Sequence, residues 1–352
     1  MSNIAQEIIL PPVRVLRVVF LYVGQGEATL FAVPEGDNHK IVLVDSNLDL
    51  ENNGIDIPKL LEDLFQGLNK QLAVYINTHP HKDHFGGIRK IYDTVGIEQL
   101  WHSGHKPGGE HKEAYEDLEY VIKKLGTDRV FCLKGSREEN KLDDKEVKLG
   151  DVNYNVLSPA EYVTDDIADE DPDARYRRIH EQCGVIRFRY GRQEKQILIT
   201  GDANRAAWEK HITEYHKERL PSTVLSTVHH GSNTFFWENA EAEGGPYTAH
   251  LDIITPSYAI VSAPTREKSK HDHPHKEAME IYEKRAGRDN VKHLGERQEC
   301  VVLDIDQSGN MELFPDDQLV NAYGLGKNGG GKGSSGGGGP IIMTRLDRKP
   351  MG

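Results

Sequence analysis

Two hydrophobic patterns alternate along the chain. Short apolar, β-branched runs recur at residues 15–23, 29–33, 41–45, 72–78, 99–102, 129–133 and 152–157, then again at 185–189, 196–200 and 258–263, and they predict buried or half-buried strands. Between them, apolar residues at helical spacing predict helices at 57–68, 114–125, 203–219 and 276–285, with a further helix-like stretch opening at Ile88. Strands that alternate with helices and then return to strands match an α/β fold of αββα type, two mixed sheets face to face with helices outside. The acidic segment 162–173 reads as a mobile surface loop, and 237–251, with Gly244-Gly245-Pro246, as an insertion rimming a cleft. The pattern stops at Gly324. Residues 324–339 form a Gly-rich linker that cannot bury a core, and 340–352 a short apolar and basic peptide. The expected organisation is one folded domain over 1–323, a tether, and a docking segment in which Ile341 to Leu346 engage a protein partner or a neighbouring copy; the alternative is an unconstrained tail.

Composition changes this picture in three ways. The 352 residues can bury one large α/β core or two smaller ones. No apolar run has membrane-spanning length, and Ile8-Ile9-Leu10 is cut off by Pro11-Pro12, so no membrane association and a cytoplasmic location are expected. Cys132, Cys183 and Cys300 are far apart and lack metal spacing with one another, as expected of thiols buried in a reducing compartment. The net charge of −13 argues mildly against tight non-specific binding of long duplex DNA, without excluding a nuclease. Arg175, Arg177, Arg178, Arg187 and Arg189 are clustered, and the last two, at strand period two, share one side as a local basic face or as ordinary solvated residues.

The chemistry concentrates in Thr78-His79-Pro80-His81-Lys82-Asp83-His84-Phe85-Gly86-Gly87, four metal-ligand side chains within six residues directly after the apolar run Leu72 to Asn77. His79 and His81 lie two apart and point the same way from an extended backbone, while Asp83 and His84 sit on the following turn and reach a second ion. Imidazoles suit zinc; a carboxylate with an imidazole suits zinc, manganese or iron. Two such ions about 3.5–4 Å apart hold a hydroxide between them and stabilise attacking and leaving oxygens.

With this motif, the chain resembles the metallo-β-lactamase superfamily, and in particular the branch that includes the soluble domain of bacterial DNA-uptake (competence) channel proteins. The resemblance is carried in order by Phe20 to Leu30 with Gly24-Gln25-Gly26-Glu27, Ile41 to Asn47, the histidine motif, Ile197 to Asp202, Val228-His229-His230-Gly231-Ser232 and His273-Pro274. Tyr22 and Glu27 stand where the branch usually has Asp, and Ser46-Asn47 replaces its small residue and Gly. The third-motif histidine of β-lactamases and glyoxalases has no clear counterpart; His180 can be offered, but Val228-His229-His230 matches the branch better.

The resemblance implies that His79, His81 and His229 hold one ion, Asp83, His84 and His273 the other, and that Asp202 bridges them, with zinc expected first and manganese second. Asp83 and His230 are the catalytic side chains; His230 steadies a substrate oxyanion, or is only a capped loop histidine, and Ser232 caps the next turn. His273 is preferred to His271 and His275 because it immediately precedes Pro274. Arg266, Lys268 and Lys270 in the same loop suit an anionic substrate, or are merely solvated. The implied activity is dinuclear hydrolysis of a phosphodiester, as a nuclease or phosphodiesterase, through a metal-bound hydroxide. Alternatives are a small-molecule phosphodiesterase, a thioester or lactam hydrolase, and a partner-activated component of a multi-protein assembly, as in phage defence. Lactams are the least expected, given the missing third-motif histidine and secretion signal.

Overall fold

The structure, a computed structural model, describes residues 3–105, 112–160, 172–237 and 245–327. The first half of the chain builds α1 (Ile4–Ile9), β1 (Leu16–Phe20), β2 (Thr29–Glu35), β3 (Asn38–Val44), α2 (Ile57–Phe65), β4 (Leu72–Asn77), α3 (Lys82–Phe85), α4 (Ile88–Val95), β5 (Ile97–His102), α5 (Lys112–Leu125) and β6 (Val130–Cys132). A two-residue hairpin, β7 (Lys141–Leu142) and β8 (Lys145–Glu146), precedes β9 (Asn153–Ser158) and α6 (Pro172–Glu181). The second half adds β10 (Val185–Tyr190), β11 (Lys195–Ile199), β12 (Val224–Ser226), β13 (Tyr258–Val261), β14 (Val291–His293), β15 (Cys300–Ile305) and β16 (Met311–Asp316).

These strands form two mixed sheets, β16-β15-β1-β2-β3-β4-β5-β6 and β14-β13-β12-β11-β10-β9. In the first, β16 to β3 are antiparallel and β3 to β6 parallel; in the second, β9 to β11 are antiparallel and β11 to β14 parallel. Alternation along the strands decides which face meets which layer. On β10, Ile186, Phe188 and Tyr190 join the core between the sheets, where Phe31 meets Phe188 and Trp101 meets Tyr154. Val185 points the other way, into a second core under the outer helices with Leu198, Trp208, Phe235, Phe236 and Tyr282. The expected αββα sandwich is therefore present.

Local chemistry sets the helix that backs the first sheet. Asp56 caps α2 by accepting from the Lys59 amide, Pro58 sits in its first turn, and Ile57, Leu60, Leu61 and Leu64 bury one stripe. The expected helix 203–219 is instead a short run from Arg205 that passes through a π-helical turn at Trp208–Ile212 and ends in a 3-10 turn at Lys217–Arg219. The chain stays anchored past Tyr323, since the Leu325 amide donates to the Gly54 carbonyl. The acidic loop, apart from its last residues, and the C-terminal peptide lie outside the described residues, as do 238–244 of the expected cleft insertion.

Three expectations are corrected. Tyr247, His250 and Leu251 pack into the second core instead of rimming the cleft. Arg187 is 7% exposed and donates to the Arg219 carbonyl, so it presents no basic face, and Arg189 is paired with Glu139 and Glu194. Position on the outer face of an inner sheet means burial under helices, which strand period alone does not reveal. Cys132 is half-buried; Cys183 and Cys300 are buried, and all three are free thiols. No helix among the described residues is long and apolar enough to cross a membrane.

Candidate metal centre

Four of the parallel strands, two from each sheet, bring polar side chains to the cleft from their C-terminal ends. β3 ends at Asp45, β4 at the histidine motif, β11 at Thr200-Gly201-Asp202, and β12 at Thr227 before the turn Val228–Gly231. Two glycines permit the close approach. Gly26, at φ +120°, passes so near the Asp83 carbonyl that a Cβ would collide with it. Gly201, at φ +48°, leaves only 2.8 Å from a Cβ position to Cys183 Sγ and Thr78 Oγ1.

Asp45 organises the first half. Its Oδ2 accepts from His84 Nδ1 at 2.8 Å and from Thr78 Oγ1 at 2.6 Å, and its Oδ1 accepts from the Thr78 amide at 2.8 Å. Thr78 Oγ1, its proton committed to Asp45, faces His79 Nδ1 at 3.2 Å and accepts from it. On the other side of the cleft, His230 Nδ1 donates to the Ser262 carbonyl at 2.9 Å. The outer nitrogens of His79, His84 and His230 are thus occupied, and each ring turns Nε2 inward.

Those inward nitrogens meet one another. His79 Nε2 lies 3.1 Å from His81 Nδ1, His180 Nε2 lies 3.1 Å from the same atom, and His84 Nε2 lies 3.2 Å from His230 Nε2. Each pair is close enough to share one proton as N–H···N or to ligate one ion, and the donor set of imidazoles with carboxylates suits a divalent metal. Asp202 sits at the centre with its oxygens divided. Oδ2 is 3.7 Å from His79, 3.9 Å from His180 and 3.5 Å from His229, whereas Oδ1 is 3.4 Å from both His84 and His230. Groups with metal-binding spacing among the described residues are His79-His81-His180, His79-His84-Asp202, His180-Asp202-His229, Asp83-His84-His230 and, on the outer side of His84, Glu27-Asp45-His84.

Electrostatics agree with that geometry. Burial, reinforced by neighbouring histidines, pushes His79 and His180 well below the usual imidazole range, which keeps them in the neutral, ligating form. Burial alone would raise Asp202, but His229, His230 and His84 outweigh it and hold its carboxyl well below the usual range. Burial would lower His84, yet Asp202 and Asp45 hold it well above the imidazole range, so its Nε2 keeps a proton toward Asp202 that a metal ion at this position would replace.

Of the seven residues expected as ligands, the fold brings His79, His81, Asp83, His84, Asp202 and His229 into these groups. His273 lines the same cleft but belongs to none of the groups among the described residues; its ring centroid is 5.5 Å from that of His229 and 6.1 Å from that of His230. His180, set aside in the sequence, is a full member. His229 and His230 were expected on a strand end with side chains on opposite faces; they instead occupy a turn at φ +50° and +54°, and both reach Asp202. Ser232 does cap the next helix, accepting from the Thr234 amide. Of the loop cations, Lys270 lines the cleft and pairs with Glu51 at 3.1 Å, while Arg266 and Lys268 do not line it. The residues missed were His180, whose cue was its place just ahead of β10, and the orienting role of Asp45.

The cleft measures about 760 Å³, with His81, Asp83, Asp202, His229 and His230 on its floor and Lys82, Tyr176, Leu50 and Lys270 around it.

The structure is similar, at low identity, to several solved proteins. CmlA, a diiron β-hydroxylase from Streptomyces venezuelae, is 14% identical at a TM-score of 0.43, the match covering 87% of this chain and 54% of that one. Igni18, a metallo hydrolase from the archaeon Ignicoccus hospitalis, is 15% identical at a TM-score of 0.39 over 85% of this chain and 98% of that one. BJP-1, a subclass B3 metallo-β-lactamase of Bradyrhizobium japonicum, is 16% identical at a TM-score of 0.33 over 71% and 94%. This chain spans about half the length of the β-hydroxylase. No curated protein matches it significantly. A family model described as the metallo-beta-lactamase superfamily matches residues 21–246, a stretch that holds every member of the His/Asp cluster. Because that match takes in well over half of the sequence, the chain belongs to the metallo-β-lactamase superfamily.

Proposed function

We propose that the protein is a dinuclear metal-dependent hydrolase of phosphodiester bonds, a phosphodiesterase or nuclease. The observation that carries this reading is the division of the Asp202 oxygens between two sets of histidines at the floor of an open cleft. His79, His81 and His180 would hold one ion, with His229 at its edge; Asp83, His84 and His230 would hold the other; Asp202 would be shared. The imidazole-rich first set suits zinc, and the second suits zinc or manganese. Two divalent ions supply Lewis acidity to phosphoryl oxygens and make a nucleophile from water near neutral pH.

The chain's own residues do the rest. Asp45 and Thr78 fix His84 and His79 in the ligating tautomer, so the cluster is organised before substrate arrives. Asp83 faces the cleft 3.7 Å from His230, placing a carboxylate where it orients a water or a substrate hydroxyl. On the rim Lys82 and Lys270 stand beside Asp49 and Glu51, so a phosphate would be met by the lysine side chains only after displacing the Lys270–Glu51 pair. The resemblance to the DNA-uptake branch supports phosphodiesters over lactams.

The test is cleavage of a labelled single-stranded oligonucleotide and a small chromogenic phosphodiester, with zinc and with manganese, using Asp202→Ala as the blank. Oligonucleotide cutting that the variant loses supports a nuclease; turnover of the small diester alone restricts the reading to a phosphodiesterase. Silence on both, with two ions bound, overturns it.

A further inference from the structure

We propose that the cleft takes phosphodiesters that carry an unstacked nucleobase beside the scissile bond, with the base lying against Tyr176 and Leu50; this rests on the phosphodiester reading above. Four large hydrophobic side chains are prominently exposed among the described residues, and two of them, Leu50 (62%) and Tyr176 (48%), border this one cleft. Scattered exposed hydrophobics are ordinary, but a pair flanking a floor of histidines and carboxylates is a site with apolar walls and a polar base. A nucleotide has the matching division, a flat apolar face and an anionic phosphodiester.

Tyr176 is also held in a fixed plane. One helical turn separates it from His180 on α6, so both side chains meet the same ring. Tyr176 lies nearly parallel to His81, with centroids 5.2 Å apart and planes 18° from parallel, and edge-on to His180 at 4.4 Å. A ring locked against two candidate ligands presents a platform at a constant distance from the cluster, which is what reading a base next to a reacting phosphate requires. A volume of about 760 Å³ exceeds what a bare phosphodiester fills and lies within the range of nucleotide-sized sites. Bases in a duplex are stacked on both faces, so the substrate class is nucleotides and single strands.

Calorimetric titration of the zinc-loaded full chain with adenosine 5′-monophosphate, ribose 5-phosphate and inorganic phosphate tests this. Wild type should bind the mononucleotide more tightly than the sugar phosphate by about 5- to 150-fold, the range of one base–aromatic stack. Tyr176→Ala should erase that advantage while inorganic phosphate affinity and metal content hold, and Tyr176→Phe should restore it. Leu50→Ser, at a residue outside the His/Asp groups, should reduce the advantage with metal untouched, which covers the case of a Tyr176→Ala chain that loses metal. Equal affinity for all three probes in wild type overturns base reading but leaves phosphate recognition standing. Absence of binding to any phosphate overturns both.

Discussion

The two halves of the metal centre are built in opposite ways. The half carried by the first sheet comes from six consecutive residues, His79 to His84, behind a single buried strand, and Asp45 from the neighbouring strand orients it. The half carried by the second sheet is dispersed: His180 comes from a helix, Asp202 from the end of β11, and His229 and His230 from a strained turn after β12. The first half is rigid because its spacing is covalent. The second is only as precise as the packing of three separate segments. A local half therefore tolerates loss of surrounding packing, and a dispersed half does not.

The largest effect should come from the one side chain that serves both halves. Asp202→Ala is expected to lower activity by about 10³-fold or more and to leave less than one tightly bound ion per chain, as read by elemental analysis. A variant that keeps two ions would show that the halves are independent of it. Next is the comparison within the dispersed half. His180→Ala should lose about one ion per chain, whereas His273→Ala should keep both and change substrate affinity instead. The reverse result would restore the ligand set drawn from the sequence and remove His180.

Asp45→Asn, which leaves a side chain of the same shape in the local half, should weaken metal binding by about 10- to 100-fold. Chelator competition measures this directly, and an unchanged affinity would mean that the local half needs no orienting carboxylate. Acid should then unseat the dispersed half first. Burial, with Arg285 on the adjoining helix, lowers His250 to about 3. Its ring sits among Trp208, Phe235, Phe236 and Tyr247 in the second core. An imidazole in the unfolded chain titrates near 6.5, so below that pH the unfolded state takes up a proton that the folded state refuses. Its contribution is full above pH 6.5 and declines by up to about 1.4 kcal/mol per pH unit as pH falls toward 3. In urea unfolding between pH 7.5 and 5, His250→Phe should flatten the slope relative to wild type; parallel slopes would refute the assignment. The smallest effect on the fold should follow removal of everything after Asn328. Stability should stay within about 0.5 kcal/mol, while any self-association or partner complex is lost. A complex that survives the deletion would show that Ile341 to Leu346 dock nothing.

How much of this was legible depended on sequence distance. Strands β1 to β6, β9 to β11 and β13, and helices α2, α4, α5 and Lys276–Ala286, were readable because alternation and helical spacing are local. By contrast, β12, β14, β15, β16, α1 and α6 were not named. The motif from His79 to His84 was readable because its ligands are near neighbours. Asp202 was readable because an apolar strand ending in Gly-Asp stands out beside that motif. His180 was not: a histidine on a polar helix looks like any other until β10 folds back and the helix swings it to 3.1 Å from His81. The turn at His229 and His230 was misread as a strand end, since two consecutive left-handed residues that are not glycine leave no mark in the sequence and persist only where the surroundings force them. Arg187 was misread for a related reason, because period two gives the face of a strand but not what covers it.

By itself the sequence determined the family, the sandwich class and the local half of the metal centre, all of which follow from spacing along one continuous backbone. Only the tertiary structure decided which distant histidines complete the cluster and how Asp202 divides its oxygens. It also decided that Tyr176 and Leu50 flank the floor, because these depend on angles between segments that meet only when both sheets and their helices have packed.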